Sequence, residues 1–146
     1  MRLEIQRIGQ EAIQVQENIP AKSWNMDSDD IEFVGLVKID CNCSRVADEL
    51  LVIAQISTER KITCSRCLGL SHQSVIQNFQ RSYPVKEKSE FLDIDDDIRE
   101  EILLNFPLKV LCKSDCKGVC SSCGANLNIS QCNCKKETRS NNLNIK

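Results

Sequence analysis

Cysteines are the residues of this sequence whose type and spacing best suit a chemical role, and there are ten of them. Cys120 and Cys123 are separated by two residues, a spacing that lets one tight turn point both sulfurs at one metal ion. Gly124 follows directly and tolerates the positive φ that often closes such a turn. Cys132 and Cys134 lie farther along and can supply two more thiolates. Four thiolates complete a closed structural zinc site, so we predict one here.

A second zinc site is predicted from Cys64 and Cys67, which repeat the two-residue spacing. They need two more ligands, and elimination leaves Cys112 and Cys116 as the candidates. A shared ion would fasten the cysteine-rich C-terminal stretch to the part of the chain that precedes it. His72, the single histidine, is an alternative ligand, although a surface position is the simpler interpretation.

Other uses of the cysteines fit the pattern less well. A thioredoxin-like redox pair would stand at a helix N-terminus within a βαβ pattern, whereas Cys64 and Cys67 stand between strand patterns. Cys41 and Cys43 alternate with polar residues along a strand pattern, and we interpret them as small core side chains.

Catalysis is not indicated by this sequence. All-thiolate zinc sites leave no open position for a substrate. The sequence contains no H-E-x-x-H, no Gly-rich phosphate loop and no G-x-S-x-G, and one histidine leaves little acid–base chemistry near neutral pH. We therefore expect a protein that is not an enzyme.

The elements around the cysteines are predicted from hydrophobic periodicity. Period-two alternation predicts strands at 31–43, 50–63 and 74–83, with a weaker signal at 3–8, whereas 9–30 is predicted to be loop and turns. Asp97 and Glu100 form a capping-box pattern, and the apolar stripe that follows predicts a helix over about 97–106, stopped by Pro107.

These elements predict an α+β fold with an antiparallel sheet of about five strands, one acidic helix and a C-terminal zinc-bound cysteine-rich module. The division we expect is a β-rich domain at 1–106, the zinc module packed on it at 107–134, and a disordered tail at 135–146.

Composition restricts the setting. Residues 1–10 lack the apolar run of a secretory signal, and no stretch approaches 18 apolar residues, so we expect a cytoplasmic protein with reduced thiols. The formal net charge is -2, yet residues 107–146 hold seven basic and two acidic side chains. This basic end predicts tentative RNA contacts by Arg66, Lys109, Lys113, Lys117, Lys135, Lys136 and Arg139.

Several motifs together resemble a known family. They are the run from Thr63 to Leu68 (TCSRCL), the helix sequence IREEILL from Ile98 with FPL after it, LCxxxCKGVCxxCGANLN from Leu111, and the closing Cys132-Asn-Cys134. This order, from about residue 31 to residue 134, resembles the YceD family, also called the large ribosomal RNA subunit accumulation protein family. Ser121 stands where that family usually has proline.

The resemblance implies a bacterial, non-enzymatic assembly factor that promotes accumulation or processing of 23S (large-subunit) rRNA. It implies contacts to that rRNA or its precursor, and a large-subunit ribosomal protein as a possible partner, with no membrane and no small-molecule substrate. Family members that lack the last four cysteines but keep the first pair and a later ligand pair support grouping Cys64 and Cys67 with Cys112 and Cys116.

One alternative function uses the same cysteines. A zinc-ribbon interaction module of the transcription machinery, binding DNA or polymerase, would also carry a C-x-x-C-G followed by a C-x-C. The long β region and the acidic helix are more than a small DNA-reading module needs. A preference for rRNA over duplex DNA would distinguish the two functions.

Overall fold

A computed structural model describes residues 1–85 and 90–134 of the chain. Its six strands are β1 (Arg2–Glu4), β2 (Ile13–Pro20), β3 (Ile31–Val46), β4 (Glu49–Thr63), β5 (Leu70–Pro84) and β6 (Phe91–Asp93), and its helix is α1 (Asp95–Leu104). β2, β3, β4 and β5 form an antiparallel meander in that order, and β1 pairs with β6. The expected antiparallel fold with one helix is confirmed, but with six strands in two sheets among the described residues.

The meander is built by short local connections. Only residues 47 and 48 separate β3 from β4, and Ala47 takes a left-handed φ of 53° to close that turn. The β3–β4 ladder slips between Val34 and Lys38, where Gly35 has a φ of 71° that favours glycine. One face of the sheet, including Phe33, packs into the core, and the other face is open to solvent.

The prediction of loop and turns over 9–30 was wrong for Ile13–Pro20, which form strand β2. Strand β2 pairs with β3 along its whole length, and two short 3-10 turns lie on either side of it, at Ile5–Arg7 and Ala21–Trp24. Every second side chain of β2 is only half-buried, because the strand lies at the edge of the sheet. Glu17 interrupts the alternation of Ile13, Val15 and Ile19 on the half-buried side, and this polar residue hid the strand in the sequence.

The helix begins and ends two residues earlier than the predicted 97–106. Its N-cap is Ile94, which makes no side-chain capping bond, so the predicted capping box is wrong. Asp97 instead turns toward β5, where its carboxylate accepts hydrogen bonds from Arg81 and Tyr83. Phe106 lies beyond the helix and stacks on Phe33 with ring centroids 5.6 Å apart.

Two predictions concern residues 135–146, which lie outside the described residues: the disordered tail, and the RNA contacts by Lys135, Lys136 and Arg139. Within the described residues, no helix is both long enough and apolar enough to span a membrane.

Candidate metal centres

The first candidate centre, here called the sheet site, consists of Cys64, Cys67, Cys112 and Cys116. Its first two ligands lie in the turn that joins β4 to β5. The Leu68 N–H donates to the Cys64 carbonyl at 2.8 Å, and the Cys64 N–H donates to the Gly69 carbonyl at 3.0 Å. These bonds fold the turn back on itself, so both sulfurs point to the same side.

The other two ligands arrive on a segment that follows the helix. The Ser65 N–H donates to the Val110 carbonyl at 2.8 Å, and the Gln73 side chain donates to the Leu111 carbonyl at 2.9 Å. The Arg66 guanidinium donates to the Cys116 carbonyl at 3.1 Å. The sheet therefore positions Cys112 and Cys116 through contacts from residues beside Cys64 and Cys67.

The sulfurs of the sheet site have the spacing of a tetrahedral centre. The Cys64 and Cys116 sulfurs lie 3.7 Å apart, as do those of Cys67 and Cys112, and all four lie within 4.8 Å of one another. A tetrahedron with Zn–S bonds of about 2.3 Å has edges of about 3.8 Å, whereas a disulfide needs about 2.05 Å. Three of the four residues are buried.

The second candidate centre, here called the loop site, consists of Cys120, Cys123, Cys132 and Cys134. The Gly124 N–H donates to the Cys120 carbonyl and the Cys120 N–H to the Ala125 carbonyl, both at 2.9 Å. Gly124 has the positive φ, 72°, for which the sequence motif predicts glycine. The four sulfurs also lie within 4.8 Å of one another, but none of the residues is buried and Cys123 is exposed.

Backbone donors prepare one thiol of the sheet site for metal binding. Burial raises the pKa of Cys64, but the backbone N–H groups of Cys112, Cys67 and Arg66 stabilise its thiolate and bring the pKa down to about 6. Burial and the neighbouring sulfurs raise the pKa of Cys112 to about 12. A bound dication would offset the repulsion between thiolates that keeps the Cys112 thiol protonated.

The loop site shows the same opposition. The backbone N–H groups of Cys123 and Ser122 lower the pKa of Cys120 to about 6. The sulfur of Cys123, together with desolvation, raises the pKa of Cys134 to about 12. Each group could therefore hold a metal ion, and a set of four thiolates suits a structural Zn²⁺ with no open coordination position.

The remaining candidates lie away from both groups. His72 pairs with Lys61 in the β4–β5 ladder and is exposed to solvent. Cys41 and Cys43 are completely buried in the core, with their sulfurs 3.2 Å apart. Contact with the Cys43 sulfur, followed by burial, raises the pKa of Cys41 far above its usual range. This environment suits the core role that the sequence predicts for both.

The basic residues predicted to contact RNA lie beside the two sites where the structure describes them. Arg66, Lys109, Lys113 and Lys117 are all exposed. Lys113 lies 3.9 Å from the Asp115 carboxylate, and the Arg66 side chain is engaged with the Cys116 carbonyl. Lys109 and Lys117 make no ion pair with any described residue, which leaves both charges available to a partner.

Sequence analysis assigned no role at the metal sites to Gly118, Asn126 and Asn128. The Asn128 side chain donates to the Cys116 sulfur at 3.3 Å and to Asn126 Oδ1 at 2.9 Å. Gly118 has a φ of 76°, and a Cβ there would lie 3.1 Å from the Arg66 carbonyl oxygen. The signal available in the sequence was the clustering of Gly and Asn between the cysteines.

Comparison with known proteins identifies the part of the chain that carries the loop site. The model of the family "Large ribosomal RNA subunit accumulation protein YceD" matches residues 82–144, a range that includes six of the ten cysteines. Residues 82–144 are therefore similar to the YceD family. The matched range is narrower than the expected 31–134, and it leaves out Cys64 and Cys67 of the sheet site.

Two relatives carry the name of the same family. The chain is 42% identical over 48 residues to the chloroplastic "Large ribosomal RNA subunit accumulation protein YCED homolog 1" of Arabidopsis thaliana, which is 33% of this chain and 15% of that protein. The homologue of the same name from Zea mays is 44% identical over 54 residues, 36% of this chain and 18% of that protein.

A third relative matches over a longer range. An uncharacterised protein of Mycobacterium leprae is 26% identical over 112 residues, which is 66% of this chain and 52% of that protein. The matches thus span from about a seventh to about half of the relatives' own lengths. No solved structure gives a significant match to the chain.

Proposed function

We propose that this protein is a non-enzymatic, zinc-binding factor that promotes accumulation of large-subunit ribosomal RNA. The observation that carries the proposal is the pair of preformed four-cysteine groups, one of which lies wholly inside the YceD region. The names of the two chloroplast relatives support the link to large-subunit rRNA. A closed thiolate site supports a structural role for the metal, since it leaves no position for a substrate.

The zinc ions would act by holding a surface together. The sheet site joins the β4–β5 turn to a segment 45 to 52 residues later, and the loop site folds a stretch with few buried apolar side chains. A structural Zn²⁺ contributes on the order of 10–16 kcal/mol, enough to order such a stretch. The ordered surface would present Lys109 and Lys117 at fixed positions.

The contact we propose is with large-subunit rRNA or with a large-subunit ribosomal protein. Each occupied four-thiolate site adds a formal charge of about -2 to its surroundings, so the basic side chains would be partly offset. Contact with RNA would then be local and dependent on salt, rather than a broad non-specific attraction. Arg66, Lys109, Lys113 and Lys117 are the described residues that would make it, and Lys135, Lys136 and Arg139 complete the proposed set.

The transcription alternative receives less support from the geometry. A DNA-reading zinc ribbon acts as a small module, whereas here the sheet site takes two of its four ligands from the β4–β5 turn. The cysteine-rich stretch is therefore tied to a large sheet, and the YceD match favours the ribosomal assignment.

Gradient sedimentation of cell lysate tests the proposal. The tagged protein is expected to co-migrate with large-subunit precursors at low salt, and the double variant Cys120→Ser with Cys123→Ser is expected to lose this co-migration. The matched control is Ser121→Ala with Ser122→Ala, which changes the same exposed turn but no ligand. Equal co-migration of the ligand variant and the control would contradict a role for the loop site.

Charge variants in the same gradients test the contact surface. Lys109→Gln with Lys117→Gln is expected to dissociate from precursors at lower salt than wild type, because phosphate contacts are lost. Lys38→Gln with Lys61→Gln removes the same charge from the open face of the sheet and serves as the control. If the wild-type protein migrates as a free small protein at every salt concentration, it does not bind the ribosome stably, and that part of the proposal is contradicted.

A further inference from the structure

Asn128 contacts a ligand of the sheet site, although in the sequence it lies between two cysteines of the loop site. Its amide nitrogen donates to the Cys116 sulfur at 3.3 Å, and its amide oxygen accepts the Lys117 N–H at 2.8 Å. The same nitrogen donates to Asn126 Oδ1 at 2.9 Å. The side chain thus uses both of its amide protons and its oxygen within the protein.

The orientation of this amide is determined by its partners. Exchanging the oxygen and the nitrogen of Asn128 would place a donor against the Lys117 N–H and an acceptor against Asn126 Oδ1. It would also remove the only side-chain N–H donor to the Cys116 sulfur within the described residues. Only one orientation therefore satisfies all three neighbours, and in it an N–H points at the sulfur.

The segment that carries Asn128 is held by the loop site at both ends. It lies between Cys123 and Cys132, two of that site's four cysteines. The Leu127 N–H donates to the Gly118 carbonyl at 2.9 Å, and Val119 and Asn126 form an isolated antiparallel bridge. If the loop site opened, this short segment would lose the attachments that bring the amide to Cys116.

An N–H donor to a metal-bound thiolate has two effects. It stabilises the charged sulfur relative to the protonated thiol, and it restricts the orientation of the ligand. Loss of such a second contact around a metal ligand commonly lowers metal affinity by about 10- to 100-fold. The Cys116 sulfur accepts from the Gly118 backbone N–H and from Asn128, and the second donor is a side chain held by the neighbouring site. The strength of the sheet site therefore depends in part on that neighbour.

We propose that Asn128 couples the two sites, so that a metal ion in the loop site slows the loss of the ion from the sheet site. The inference rests on the proposed zinc binding. Asn128 is a positioning residue in this proposal: it ligates nothing, and it acts through the Cys116 sulfur. The coupling runs in both directions, because occupation of the sheet site also holds the Asn128 segment in its place.

Zinc release to an excess of chromogenic chelator is the direct test. A variant with all four loop-site cysteines changed to Ser retains only the sheet site, which identifies the sheet-site phase of release. Asn128→Ala in the otherwise intact protein is expected to speed that phase by about 10- to 100-fold. Asn133→Ala, an exposed asparagine between Cys132 and Cys134, is the matched control and is expected to leave the phase unchanged.

The combined variant separates coupling from a simple loss of one contact. Removing the loop site is expected to speed release from the sheet site, and adding Asn128→Ala to that background is expected to change the rate by less than about threefold. An unchanged rate in Asn128→Ala, or an equal acceleration with and without the loop site, would overturn the coupling. Absence of bound zinc in the wild-type protein would instead overturn the proposed function itself.

A measurement on the unaltered protein covers the case in which Asn128→Ala does not fold. With ¹¹³Cd²⁺ in both sites, a scalar coupling is expected between the metal bound by Cys116 and an Asn128 side-chain amide proton, transmitted through the N–H···S bond. A spectrum in which both sites are filled and the Asn128 amide shows no such coupling would refute the contact.

Discussion

Gly118 lies where the segment that leads into the loop site packs against Arg66 in the β4–β5 turn. Its φ of 76° and the 3.1 Å separation of a would-be Cβ from the Arg66 carbonyl oxygen are two separate obstacles to a side chain. Gly124 has a similar φ of 72°, but a Cβ there would meet nothing within 4 Å. Comparing substitutions at the two glycines therefore separates the cost of backbone strain from the cost of a steric clash.

We expect Gly118→Ala to lower the free energy of unfolding more than Gly124→Ala does. Both variants incur the left-handed cost of about 1–2 kcal/mol, and only the first adds a backbone clash of about 1–3 kcal/mol. Thermal unfolding of the zinc-loaded proteins measures the difference. Equal losses in the two variants would mean that the Arg66 carbonyl moves aside without cost.

Asp27 makes two hydrogen bonds whose contribution to stability depends on pH. Its carboxylate accepts the Lys22 ammonium and the Phe33 backbone N–H, each at 2.8 Å. The Lys22 hydrogen bond, followed by the Phe33 bond, lowers the pKa of Asp27 below its usual value of 3.8. A lowered folded-state pKa contributes stability that is present above the unfolded pKa and is lost as pH falls through the folded pKa.

The replacement Asp27→Asn is therefore expected to destabilise the protein at pH 6 and to have progressively less effect below about pH 4. Urea unfolding of wild type and variant across this range gives the difference directly. Asp29→Asn, at an exposed aspartate in the same acidic cluster, is the control and is expected to show no such convergence. A difference that stays constant down to pH 2 would exclude the ionised carboxylate as its source.

At the scale of elements, the contact between α1 and β5 explains why the helix starts where it does. Asp97 accepts hydrogen bonds from Arg81 and Tyr83, and Ile98 and Ile102 are buried against the core. Burial, and then the bond to Asp97, raise the pKa of Tyr83, so its hydroxyl stays a donor across the physiological range. The sequence pattern assigned Asp97 to a cap, but its tertiary partners outcompete the local backbone.

Changing Asp97 to Asn is expected to lower the free energy of unfolding by about 1.5–3 kcal/mol, because charged hydrogen bonds from two partners are weakened. Asp96→Asn is the matched control, since Asp96 shares the first helical turn but is exposed to solvent. Both changes remove one charge from the helix N-terminus, so any macrodipole effect cancels in the comparison. Chemical denaturation measures both, and equal losses would assign the effect to the dipole alone.

At the scale of the whole molecule, the sheet site joins a part of the chain that has a hydrophobic core to a part that has almost none. Residues 1–106 provide nearly all of the large buried apolar side chains, whereas residues 107–134 contribute only Val110 and Cys116. The first part holds its structure by hydrophobic burial, and under the proposed zinc binding the second would depend on metal–sulfur bonds. The two parts should consequently respond differently when metal is removed.

Metal removal by a strong chelator is expected to release the 111–134 stretch while the four-stranded meander persists. Hydrogen exchange should become fast at the amides of Cys120 and Leu127, which donate to backbone carbonyls within this stretch, and stay slow in β3 and β4. Chelator presaturated with zinc is the control. Unchanged exchange at Cys120 and Leu127 after confirmed metal loss would contradict a metal-dependent fold.

The sequence by itself determined the local features. Two-residue spacing between Cys120 and Cys123, followed by Gly124, requires little more than a tight turn, and the structure contains that turn. Alternating apolar residues likewise predicted β3 and β4, because burial of one sheet face imposes a period of two. Features of this kind depend on neighbours along the chain, and for that reason they could be predicted.

Tertiary structure alone decided the contacts between distant segments. The pairing of β2 with β3, the engagement of Asp97 by β5, and the placement of Asn128 on Cys116 all join residues whose local sequence permits other partners. The Cys64–Cys116 contact spans 52 residues, and sequence could suggest it only by elimination. A side chain takes the partner that folding brings within hydrogen-bonding distance, and local spacing carries no information about that distance.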